Sequence, residues 1–197
     1  MRNLHAEQQP VGIVSAGAIP GDYQIAAIQG ASSGAIQLLL DDFALRARQQ
    51  GLRIAGAVEL APGEAGGACG RRVVRVLSTG AIISISQNLG KDSTACNLDP
   101  SGLIDACAAV ERDIEHGVDL VILSKFGTLE ADRRGLSDAF RAAIGAGLPI
   151  LTAVSPAMTA AWRKFAGPLF RFIPADGCVI DAWRSGVRTG MVLPTSD

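Results

Sequence analysis

The sequence predicts an α/β fold: a three-layer, mostly parallel, doubly wound sheet of about five strands with an inserted β-hairpin. Three observations carry this expectation. Short apolar runs alternate with segments of helical period along most of the chain. Glycines stop helical segments at Gly51 and Gly117. The run Val118 to Leu123 is almost continuously apolar, as a central parallel strand covered on both faces must be.

Residues 1–22 read as a variable extension and residues 23–197 as a single α/β domain. Tyr23 to Gln29 is a short buried strand ending at Gly30. A turn leads into a helix from about Ala35 to Gln50, with Ile36, Leu39, Leu40, Phe43 and Ala47 on its apolar face. Leu52 to Val58 is the next strand. Ala61 to Gly70 is too rich in Gly and Pro for regular structure. Arg72 to Leu77 and Ala81 to Ser86, separated by S-T-G, form a hairpin that becomes an antiparallel edge or a flap.

Asp99-Pro100 starts a helix that runs to about His116, with Leu103, Ile104, Cys107 and Val110 facing inward. Val118 to Leu123 follows. A helix from about Leu136 to Ala146, a strand from Leu148 to Val154 and a helix entered through Ser155-Pro156 repeat the unit. Leu169 to Ile173 is the last strand, and Ala182-Trp183 begins a short terminal helix.

With 197 residues, 48% of them hydrophobic, the chain can bury a sizeable core. The formal net charge of -1 argues against nucleic-acid binding, which needs a basic face. No apolar run reaches the ~20 residues of a membrane span, and the N-terminal segment does not read as a signal peptide, so a cytoplasmic location is expected. Self-association is left open. The four cysteines show no C-x-x-C spacing, and free thiols are the simplest reading. Cys69 and Cys96, both in expected loops, are weak candidates for a redox pair or a metal site.

Ligands in open α/β sheets bind at the carboxyl ends of strands, and three loops there hold polar residues. The first is G-A-S-S-G-A, where Gly30, Ser32, Ser33 and Gly34 can hold an anion through amides and hydroxyls at a helix start. It departs from the phosphate-loop pattern, since three residues separate the glycines and Ala35 stands where lysine belongs. The plain alternative is a tight connection without ligand. The second is L-G-K-D-S-T, with Lys91, Ser93 and Thr94, in which Ile85 replaces the upstream glycine; a solvated turn explains it as well. The third follows the central strand: Ser124, Lys125, Gly127, Thr128 and Glu130. There Lys125 can neutralise an anion, and Glu130 can serve as a base, a metal ligand or a partner for Arg133 or Arg134.

The succession I-S-Q-N-L-G (85–90), C-N-L-D-P (96–100), S-K-F-G-T-L-E (124–130), G-L-P-I-L-T-A-V (147–154) and A-W-R-K-F-A-G (161–167) resembles a bacterial family of uncharacterised proteins. Its genes stand beside molybdate-transport genes, and some members carry the label of molybdenum-transporter ATP-binding proteins. The likeness covers roughly Ile25 to Gly167. The layout is also similar to the small P-loop nucleoside triphosphatases, in which a strand ends D-E-I-G-x-M-E. Gly127 and Glu130 match that motif, whereas its two acids have no counterpart and Lys125 has been acquired. No transporter signature L-S-G-G-Q occurs.

These readings lead to a nucleotide- or oxyanion-binding protein with degenerate phosphate-loop motifs. The resemblance adds a role in molybdenum uptake or homeostasis, with molybdate or a nucleotide with Mg²⁺ as ligand and molybdate-transport components as partners. One alternative is an active nucleoside-triphosphate phosphohydrolase, with Lys91 or Lys125 replacing the missing lysine and Glu130 as its catalytic residue. Another is a regulatory or interaction subunit without small ligand.

Overall fold

The computed structural model describes residues 23–60, 72–86 and 100–190. The strands are β1 (Ile25–Gln29), β2 (Ile54–Glu59), β3 (Val73–Val76), β4 (Ile82–Ser84), β5 (Leu120–Phe126), β6 (Ile150–Val154) and β7 (Phe170–Pro174). They form one sheet in the order β4-β3-β2-β5-β6-β1-β7. The five strands β2, β5, β6, β1 and β7 run parallel, and the hairpin β3–β4 is added antiparallel at the β2 edge.

The helices are α1 (Ser33–Gln49), α2 (Pro100–Glu115), α3 (Thr128–Ala131), α4 (Ser137–Gly145), α5 (Thr159–Ala166) and α6 (Gly177–Gly190). Alternation along each strand divides the core in two. Ile25, Ala27, Val121 and Leu123 face one layer with Leu103 of α2, Phe140 of α4 and Trp162 of α5. Ala26, Ile28, Leu120 and Ile122 face the other with Leu40 and Phe43 of α1 and Trp183 of α6. Three layers result, as expected.

Some boundaries differ. Ile104 is 62% exposed, because α2 buries Leu103, Ala106, Cys107 and Val110, and Ile104 lies on the shoulder of that stripe. The terminal helix starts earlier than Ala182-Trp183: Asp176 Oδ1 accepts from the Cys178 amide, and α6 begins at Gly177. Trp183 is therefore mid-helix, buried, its indole N–H donating to the Tyr23 carbonyl.

The hairpin is held against both helical layers. Arg75 pairs with Asp41 of α1. On the opposite face α2 crosses so closely that a Cβ on Gly102 would lie 2.1 Å from the Ser84 carbonyl oxygen. Within the sheet, Gly56 of β2 has φ +150, and a Cβ there would meet the Ile122 carbonyl oxygen at 2.0 Å, so only glycine fits.

Candidate functional site: a cavity at the carboxyl ends of β2 and β5

Strand β5 extends three residues beyond Leu123, through Ser124 and Lys125 to Phe126. Leu123 pairs with Thr152 of β6 and Phe126 with Val154, so β5 spends three steps where β6 spends two. This is a β-bulge, a device that re-aims side chains. Leu123 and Phe126 consequently share one core layer. Phe126 locks the strand end, with its ring centroid 5.0 Å from that of Trp162 and 5.1 Å from that of Phe165. On the other side of the sheet, Gln37 of α1 donates its amide N–H to the Ser124 carbonyl at 2.9 Å.

Lys125 reaches Glu59, the last residue of β2: Nζ to Oε2 is 2.8 Å. Arg72 grips the same carboxylate with Nε to Oε1 at 2.7 Å and Nη2 to Oε2 at 3.1 Å. Burial works to raise the Glu59 carboxyl, but hydrogen bonds from Arg72 and Lys125 outweigh it and hold the group below its usual range.

These residues line a cavity of about 260 Å³. It is lined by polar Glu59, Arg72, Ser124, Lys125 and Thr128 and by apolar Val74, Ile85, Leu103, Leu129 and Leu136. Glu130 lies at its edge, 6% exposed. Both Glu130 oxygens are engaged by backbone: Oε2 accepts from the Gly127 amide and Oε1 from the Leu136 amide, each at 3.0 Å. Gly135, at φ +59, packs so tightly that a Cβ there would lie 2.3 Å from Oε1. Glu130 thus ties the turns on either side of α3 together, and no described ion pair joins it to Arg133 or Arg134.

The β1–α1 turn is a different environment. Gly30, Ser32, Ser33 and Gly34 are exposed, and Ser32 caps α1 by accepting from the Ala35 amide at 3.3 Å. Strand β6 stands between β1 and β5, so the turn and Lys125 are two strand spacings apart, about 10 Å. They share the carboxyl rim of the sheet but not the cavity. Where α1 and α5 leave on opposite faces, Gln29 bridges the adjacent ends of β1 and β6 by donating to Thr159 Oγ1 at 3.1 Å.

Of the residues singled out in the sequence, Ser124, Lys125, Gly127, Thr128 and Glu130 meet around one cavity. Lys91, Ser93, Thr94, Cys69 and Cys96 lie outside the described residues. Sequence reasoning missed Glu59 and Arg72. The strand-end rule that drew attention to Lys125 applies equally to Glu59, which closes the apolar run Ile54–Glu59. Among the described residues no group of three or more His, Cys, Asp or Glu is placed to hold a metal ion.

Strand order, two helical layers and a rim of polar loops define a three-layer, mostly parallel α/β fold like that of P-loop nucleoside triphosphatases, with a first turn that lacks their lysine. The chain belongs to the family described as "Protein of unknown function (DUF2478)", whose model matches residues 25–183. It is 38% identical over 188 residues to the molybdenum import ATP-binding protein ModC 2 of Bradyrhizobium diazoefficiens, a match covering 91% of this chain and 21% of that protein. The chain therefore spans about a fifth of the length of that curated relative. Among solved structures it resembles THEP1 from the hyperthermophile Aquifex aeolicus, with a TM-score of 0.60 at 9% identity over 86% of this chain and 99% of that one. That likeness is one of fold.

Proposed function

We propose that this protein binds a small anion, a nucleotide or an oxyanion, at the carboxyl rim of its sheet without hydrolysing it, in molybdenum uptake or homeostasis. The observation that carries the reading is Lys125. An ammonium has three N–H donors, and among the described residues its ion-pair partner is Glu59 alone. It retains donors for a ligand. The molybdenum context comes from the relative named above.

Binding without hydrolysis follows from what the motifs lack. No lysine follows Gly34 to meet β/γ-phosphates. Both carboxylates at the cavity are committed to protein donors, Glu59 to Arg72 and Lys125, Glu130 to two amides. The described residues therefore do not fit a Mg²⁺ site here, and no hydrolytic step is derived through one.

Calorimetry and thermal shift with ATP, GTP, molybdate, tungstate and sulfate test the reading. Binding of at least one, lost in Lys125→Met, is expected. Absence of heat and of any melting shift with all five, and with organic carboxylates and phosphates as well, overturns it.

A second reading is a regulatory module without small ligand, favoured by the match to a fifth of a longer import protein. Co-purification of a transport component with unliganded protein, undiminished in Lys125→Met, would select it.

A further inference from the structure

We propose that the cavity between β2, β5 and the hairpin takes a small organic anion, one carboxylate or phosphate head on an apolar body. Such a head is itself an oxyanion, so the ligand narrows to an oxyanion carried on an organic body, with bare tetrahedral oxyanions bound more weakly. This rests on the reading that the cavity binds an anion, and it names the ligand class.

The lining of the cavity is chemically mixed. Lys125, Ser124 and Thr128 contribute polar groups beside Glu59 and Arg72. Val74, Ile85, Leu103 and Leu136, core residues at most 5% exposed, and half-buried Leu129 contribute apolar ones. A bare oxyanion needs hydrogen-bond donors or water on every side. Oxygens pressed against the apolar groups would lose water without replacement, a cost of roughly 2–7 kcal/mol per polar group in an apolar medium. An apolar body gains there instead.

Size points the same way. A volume of about 260 Å³ corresponds to roughly nine water molecules at about 30 Å³ each. A tetrahedral oxyanion leaves most of that space wet.

Charge supplies the third argument. Lys125 and Arg72 share the Glu59 carboxylate, so the three together carry a single net positive charge, which a monoanion neutralises. A single charge on the ligand head suits one ammonium that retains two N–H donors.

The test is an affinity series by calorimetry with acetate, butyrate, hexanoate, benzoate and phenyl phosphate, set beside sulfate, molybdate and ATP. Affinity is expected to rise at least tenfold from acetate to hexanoate and to vanish in Lys125→Met. Leu129→Ser should weaken hexanoate several-fold more than acetate. Leu129→Ala provides the same comparison if Leu129→Ser does not fold by circular dichroism. Sulfate, molybdate or ATP binding in the cavity with no gain along the carboxylate series overturns the ligand class and leaves the anion-binding reading standing. Failure of every probe overturns both.

Discussion

Lys125 and Glu59, the charged residues at the ends of neighbouring parallel strands, form an ion pair of 2.8 Å at the mouth of the cavity. Their contributions to stability should be unequal. Lys125 is more than a third exposed, so Lys125→Met should cost only about 0–1 kcal/mol. Glu59→Gln leaves Arg72 and Lys125 together without their shared carboxylate and should cost about 1–3 kcal/mol. Urea unfolding of both variants checks the order; equal losses would contradict the network described.

The Glu59 carboxyl, held below its usual value despite burial, links folding to acid. A carboxyl depressed in the folded chain stabilises fully above its unfolded value, about 4.3, and the contribution is lost as pH falls through the lower folded value. Urea midpoints from about pH 6 to about pH 3 should therefore fall more steeply for the wild type than for Glu59→Gln.

Glu130 offers a direct contrast between catalytic and structural roles. Replacing one oxygen with an amide nitrogen leaves either the Gly127 or the Leu136 amide without its acceptor. Glu130→Gln should lower stability by about 1–3 kcal/mol. Gly135→Ala should do likewise, because it imposes a positive φ on a side chain and drives a methyl into Glu130. Phosphate release from ATP, measured on both variants at a temperature where they remain folded, should equal the wild-type background. A specific loss in Glu130→Gln alone would restore the phosphohydrolase alternative.

The described cysteines should separate by reactivity. Burial raises the Cys107 thiol to about 11, and Cys178 is exposed at the start of α6. Near neutral pH only thiolate alkylates quickly. Mass mapping after iodoacetamide treatment should find Cys178 modified and Cys107 intact until denaturant is added.

Legibility in the sequence followed the strength of each local signal. Parallel strands were recognisable because burial on both faces leaves continuous apolar runs, and the hairpin because S-T-G separates two β-rich segments. The end of β5 was not, since Ser124-Lys125 breaks the apolar pattern and reads as a loop start until the bulge and Phe126 are seen. The four-residue helix α3 is too short for periodicity to reveal. Lys125 was found from its place at a strand end. Its partners were not, because Glu59 and Arg72 lie 66 and 53 positions upstream, and only the sheet order β3-β2-β5 brings all three together.

The extra residue between Leu123 and Phe126 has a consequence for how relatives should be compared. Position in this cavity is encoded by a count as much as by an identity. A homologue that keeps a lysine in this column but lacks the inserted step restores simple alternation, and its side chains beyond that point exchange faces. Such a protein would score as preserving the cation while aiming it elsewhere. Gap placement at the end of β5, more than the presence of the letter K, should divide the family into members whose lysine lines this cavity and members whose lysine does not.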